Sequence, residues 1–173
     1  MRRILLAGLL LMAGCRTPVT PPELPPQEDR AGWRKLLNWS NDCEESFQAT
    51  SSGRSGIQSF ALAGDRKLIE VSCAAGAYQG SQEYFLLDER RVLPLTFTTV
   101  EDGNLREAKE LTGLATFSSG LLTVHNRYRG PGDCGSYAVY TFSSNGAQLK
   151  ELREKAECDG EGAEHPEQWP IRK

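Results

Sequence analysis

Two guanidinium groups, a phenol, a carboxylate and a thiol fall together in Arg127-Tyr128-Arg129-Gly130-Pro131-Gly132-Asp133-Cys134-Gly135. A cysteine set between small residues can act as a nucleophile when a histidine takes its proton. The order Cys134 then His165 offers that pair, and with it a thiol-hydrolase reading. The chemistry demands a free, activated thiolate. Against it stands a bridged sulfur in a turn whose glycines supply positive φ. Arg127 and Arg129 beside Tyr128 suit an anionic or sugar ligand, while an arginine paired with Asp133 would instead hold the loop together. Rigidly mounted loops on β scaffolds commonly carry binding. Arg127, Tyr128, Arg129 and Asp133 are therefore the candidate binding loop.

The Gly-Asp-Cys-Gly run looks like the nucleophile loop of chymotrypsin-like cysteine proteases. That family places its general-base histidine well upstream of the nucleophile, and no histidine precedes His125 here. Only the Cys134 and His165 order keeps the catalytic alternative open. No metal site or cofactor is expected, since His125 and His165 lack Cys or His partners at ligand spacing. Glu157, Asp159, Glu161 and Glu164 read as a solvated acidic loop, and Asp88-Glu89-Arg90-Arg91 as a charged hairpin tip.

Besides Cys15, the chain carries Cys43, Cys73, Cys134 and Cys158. An even number in an exported protein reads as two disulfides, with three possible pairings that sequence alone leaves open. Local pairing, Cys43 with Cys73 and Cys134 with Cys158, is the expectation that best fits the internal repeat described below.

Export is indicated by the N-terminus. Met1-Arg2-Arg3, the apolar run from Ile4 to Met12, then Ala13-Gly14-Cys15 lay out a secretory signal ending in a lipid-attachment cysteine. The run falls short of the about 20 residues a permanent span needs. Residues 1–14 are thus expected to be a signal peptide and Cys15 the lipid carrier. Arg16, where Asp would favour inner-membrane retention, points to the outer membrane facing the periplasm. Residues 15–28 hold five of the nine prolines and read as a semi-rigid tether. Residues 29–173 are then one domain. With a formal net charge of −3 before the signal's arginines are lost, nucleic acid is a poor partner.

The domain opens helically. Asp29 can cap a turn carrying Trp33, Leu36 and Leu37, and Asn41 with Glu44 offers a capping-box-like start before Phe47. Thereafter short branched and aromatic runs predict strands over 57–62, 68–73, 84–87, 92–98, 114–117, 121–128, 137–142 and 147–153. Gly64-Asp65, Asp102-Gly103-Asn104 and Asn145-Gly146 are hairpin signals, and Pro94 demotes its run to an edge or bulged strand. Residues 105–111 stay undecided between strand and helical turn. Gly56-Ile57-Gln58-Ser59-Phe60 is echoed by Gly113-Leu114-Ala115-Thr116-Phe117, and Leu68 to Val71 by Leu121 to Val124. Gly80-Ser81 parallels Gly135-Ser136. The expected fold is mainly β (α+β): a short helical segment, then two β-meander units forming a sandwich or small barrel.

Tyr128-Arg129-Gly130 through Gly132-Asp133-Cys134-Gly135, the aromatic strand after it, Glu157-Cys158 and Trp169-Pro170 resemble the C-terminal part of a bacterial envelope family known only as a domain of unknown function. The likeness is densest over residues 121–171; Asn41-Asp42-Cys43 and Val71-Ser72-Cys73 carry it further upstream. It implies an envelope location and a β-rich texture, and no established activity. The expectation is a lipid-anchored envelope protein with a binding or structural role. Its partners are the membrane through Cys15 and an envelope protein or glycan.

Overall fold

Asp29 begins the first helix because its carboxylate accepts the N–H of Gly32 at 2.9 Å, satisfying a donor that the first turn leaves unpaired. Helix α1 (Arg30–Leu37) ends at Asn38, whose left-handed backbone (φ 54°) lets its N–H reach Arg34 O. The next helix, α2 (Asn41–Thr50), starts one residue earlier than its capping pattern suggests. Ser40, not Asn41, accepts from Cys43 N–H, at 3.1 Å. Asn41 instead accepts from Arg34, and Glu44 is taken by Arg30 and Trp39, so no capping box closes.

The computed structural model describes residues 23–88, 91–101, 103–161 and 165–172. The expected signal segment, Cys15 and the start of the expected tether lie outside the described residues. Among the described residues, ten antiparallel strands follow the helices: β1 (Ile57–Ala61), β2 (Lys67–Ala75), β3 (Gly80–Leu87), β4 (Val92–Pro94), β5 (Phe97–Glu101), β6 (Asn104–Ala108), β7 (Glu110–Ser118), β8 (Leu121–Arg127), β9 (Gly135–Ser143) and β10 (Gly146–Lys155). The run from Val92 divides at Pro94, which ends β4 as a short edge strand; β5 then pairs with β6. Within residues 105–111, Leu105 to Ala108 belong to β6 and Glu110 and Leu111 to β7, with a bend at Lys109 and no helical turn. Leu105 pairs with Val100 across the hairpin and stays half in water, so its helical spacing buries nothing.

The ladder runs β1-β2-β3-β7-β8-β9-β10, with the far edge of β3 shared between β7 and β4. Strands β1 to β4 and β7 to β10 are two meanders, and the segments that echo each other in sequence hold equivalent places: β1 with β7, β2 with β8, β3 with β9. The fourth members differ, because Pro94 stops β4 while β10 runs on through a bulge between Leu149 and Glu151. The ladder does not close on itself, so the fold is a sandwich rather than a barrel.

Period-two alternation sorts the side chains. Leu68, Tyr84, Leu86, Leu122, Val124, Ala138, Tyr140 and Leu152 turn inward from both meanders onto one core with Phe97 and Val100 of the hairpin. Phe97 sits edge-on between Tyr84 and Tyr140, with ring centroids 5.5 and 5.0 Å away. On the opposite face of β2 and β3, Ile69, Val71, Phe85 and Leu87 meet Trp33, Leu37 and Trp39, so these two strands are buried on both faces. Among the described residues no α-helix covers the outer face of the second meander; a short 3-10 helix (Pro166–Gln168) contacts β9 and β10 instead. There Trp169 lies edge-on to His125 at 5.3 Å. Among the described residues no helix is long and apolar enough to cross a membrane.

The disulfides join Cys43 to Cys73 and Cys134 to Cys158. The first clamps α2 onto β2; the second ties the start of β9 to the segment after β10. Their sequence separations of 30 and 24 residues correspond to about 3.5 kcal/mol of chain-entropy stabilisation each. Replacing either pair by serine should lower the unfolding free energy read from guanidinium denaturation by that order, with an added loss where a serine hydroxyl replaces the buried Cys43, Cys73 or Cys134 sulfur. A midpoint unchanged for Cys134→Ser/Cys158→Ser would show that the second bridge constrains nothing.

Candidate functional site

A single guanidinium sets the shape of the concavity beside α2. Arg30 lies over the Phe47 ring at 3.5 Å and the Trp39 ring at 4.8 Å, pairs with Glu44 at 2.9 Å, and donates to Ser55 O and Ser72 O. Burial pulls its pKa below the usual value, opposed by Glu44. Glu44 is pushed up by burial, but hydrogen bonds from Gln48 and Trp39 and the Arg30 charge outweigh this and leave its pKa below the ordinary glutamate value. The loop between α2 and β1 is thereby stapled to β2. Gly56 completes the approach with φ 65°, and a Cβ there would meet Phe47 at 2.5 Å.

Between that loop and the turn joining β2 to β3 lies a groove of about 1540 Å³. Thr50 Oγ1 accepts from Ala75 N–H across one end. Gln79 holds the other: it donates to Asn126 Oδ1 and Arg127 O and accepts from Arg127 N–H at 2.9 Å. Tyr78 and Leu114 line the groove with 45 % and 42 % of their surface in water, which leaves a ring and an apolar side chain open to a ligand. Gln58, Ser72 and Gln82 supply polar groups to the same lining. Gln82 Oε1 is buried without a hydrogen-bond partner. Behind Gln58, Glu70 accepts from Gln58 Nε2 at 3.1 Å and from Tyr84 OH at 2.9 Å. Burial raises the pKa of Glu70 despite the Tyr84 bond, and raises that of Tyr84 as well.

The loop from Arg127 to Gly135 borders this groove through Gln79 but turns most of its chemistry inward. Arg129 makes a two-pronged contact with Asp133, its Nε at 2.8 Å, and donates to Cys158 O at 3.0 Å. The buried Asp133 also accepts from Gly160 N–H at 2.6 Å. The Arg129 hydrogen bonds, opposed by desolvation and helped by Gly160, hold the Asp133 carboxyl well below the usual range. Tyr128 OH donates to Glu154 Oε1 at 3.0 Å. Arg127 Nε is buried and unpartnered. The pairing of Arg129 with Asp133 is therefore a clasp that fastens the loop to the segment after β10. Cys134 Sγ is bonded to Cys158, so no thiolate stands at that position, and His165 faces Glu167. His125 is held below its usual pKa by burial and by the Arg127 charge. Among the described residues, the grouping of Cys43, Cys73 and Glu83 gathers three donor atoms within 4.8 Å, but both sulfurs are in the disulfide and Glu83 accepts from Ser40.

A family model described as "Protein of unknown function (DUF1176)" matches residues 14–172. The chain belongs to this family. No curated protein and no solved structure matches it. The groove residues do not stand out in the sequence, although one signal is present: Glu70 and Ser72 continue the inward positions begun by Leu68, and acids at such positions need partners.

Two pH dependences follow. The depressed Asp133 pKa means that the clasp contributes fully above the unfolded value of about 3.9 and loses its contribution as pH falls through the lower folded value. Asp133→Asn should lower Tm by several degrees at pH 7, with the gap closing toward pH 2; a gap independent of pH would contradict the clasp. For Glu70 the sign reverses. Its raised pKa means stability present below about 4.3 and lost as pH rises through the folded value. Glu70→Gln should raise Tm by about 2–4 °C at pH 8 and converge with the parent near pH 4.

Proposed function

We propose that this chain is a lipid-anchored binding module of the bacterial cell envelope, attached through Cys15 to the outer membrane and facing the periplasm. The groove carries the binding half of this proposal. Its rims are held by Arg30, by the disulfide of Cys43 and Cys73 and by Gln79. A concavity shaped before its ligand arrives lowers the ordering cost of capture. The loop from Arg127 to Gly135 flanks it and contributes a rigid border.

Met12-Ala13-Gly14-Cys15 supports the anchor, and the two disulfides suit an oxidising compartment. The end of the proline-rich run is already part of the domain: Leu24 packs on the helix-side core, Trp33 Nε1 donates to Pro26 O, and Gln27 Nε2 donates to Ile57 O. The leash from Cys15 to Leu24 therefore spans at most about 30 Å. Gln27 and Glu28 also line the groove, so the site opens at the root of that leash.

Cys15→Ser should move the protein from the membrane fraction to the soluble periplasmic fraction. Unchanged membrane retention of that variant would overturn the anchor.

A further inference from the structure

The groove rules out several kinds of ligand by its own chemistry. The Arg30 charge is met by Glu44, and the other charged lining residues, Glu28 and Arg54, are of opposite sign. No net field is left to select a phosphate or carboxylate group. Gln82 Oε1 is already closed off from water without a donor, a cost that a wholly apolar ligand would leave in place. A ligand that brings O–H or N–H groups relieves it.

A peptide laid along the chain from Ser55 to Ile57, where the groove meets the start of β1, would find backbone acceptors already in use. Ser55 O is taken by Arg30, Gly56 O by Ser72 N–H, and Ile57 O by Gln27. Strand addition draws its affinity from such main-chain groups. What the groove offers instead is side-chain recognition: neutral amides at Gln58 and Gln82, a hydroxyl at Ser72, and an exposed ring at Tyr78. Amide and hydroxyl groups exchange hydrogen bonds with sugar hydroxyls and acetamido groups, and an amphipathic ring accepts the C–H face of a pyranose.

We infer that the groove binds a neutral glycan chain bearing hydroxyl and acetamido groups, with Tyr78 as its stacking platform and Gln82 as its hydrogen-bond partner. Rotation of the Gln82 amide gives its unsatisfied oxygen a donor from the sugar. Glu70, bonded to Gln58 Nε2, fixes the orientation of the second amide. The inference rests on the groove being the binding site, and it fits a site within about 30 Å of leash from the lipid, where an envelope glycan is in reach.

The test uses the soluble Cys15→Ser chain, a tetramer of β-1,4-linked N-acetylglucosamine, and a peptide of glycine, serine and alanine, followed by amide chemical shifts. The tetramer should produce saturable shifts confined to the groove. Tyr78→Ala and Gln82→Leu should each weaken binding at least tenfold with Tm unchanged, and Tyr78→Phe should retain it. Shifts outside the groove, or affinity indifferent to Tyr78 and Gln82, would overturn the inference. If the peptide alone moves groove resonances, the glycan is wrong while the groove stands as a site. Silence with both probes overturns the glycan and the groove together.

Discussion

The position of Arg30 between two aromatic rings is the constraint from which the N-terminal half of the molecule takes its form. One side chain contacts Trp39, Phe47, Glu44, Ser55 and Ser72, and so joins both helices, the following loop and β2. A guanidinium suits this place because its planar fork stacks and donates in several directions at once. A buried charge of this kind is tolerated only when fully partnered. Glu44 supplies the counter-charge and is itself held by Trp39 and Gln48.

The second meander reaches a similar result by a different route. There Arg129 clasps buried Asp133 next to the disulfide of Cys134 and Cys158, as Arg30 clasps Glu44 next to that of Cys43 and Cys73. Each half thus combines an arginine–carboxylate pair with a covalent link. The halves differ in what they cover. Helices bury the outer face of β2 and β3, whereas among the described residues the corresponding face of β8 and β9 meets the C-terminal segment around Trp169 and no α-helix. The groove arises at the helix-covered end, where the loop after α2 passes the turn after β2.

Much of the strand order is legible in the amino-acid sequence. The echo of Gly56 to Phe60 in Gly113 to Phe117 marks β1 and β7, and the turn glycines mark the hairpins, because local φ requirements and period-two burial are written residue by residue. Local cysteine pairing is expected from the repeat but not fixed by sequence, and the bridges do join near neighbours in the chain, α2 to β2 and the start of β9 to the segment after β10. Ser40 displaces Asn41 as the helix cap because the choice depends on where the chain enters the helix and on Glu83, which lies across the fold. The segment from Leu105 stays undecided in the sequence because spacing alone does not reveal a hairpin partner such as Val100.

By itself, the sequence determined that the chain is a disulfide-bearing, mainly β domain built of two related meanders, since alternation, turns and cysteine parity are local or countable properties. It also brought the Arg127 to Gly135 loop to notice, yet not the direction in which its side chains point. Only the tertiary structure decided that Arg129 closes on Asp133, that Cys134 has its sulfur in a bridge, and that Gln58, Ser72, Tyr78 and Gln82 share a groove. Those residues belong to three strands and a turn, and their proximity follows from register and sheet order. Interactions between elements distant in sequence carry no signature in the spacing of any one of them.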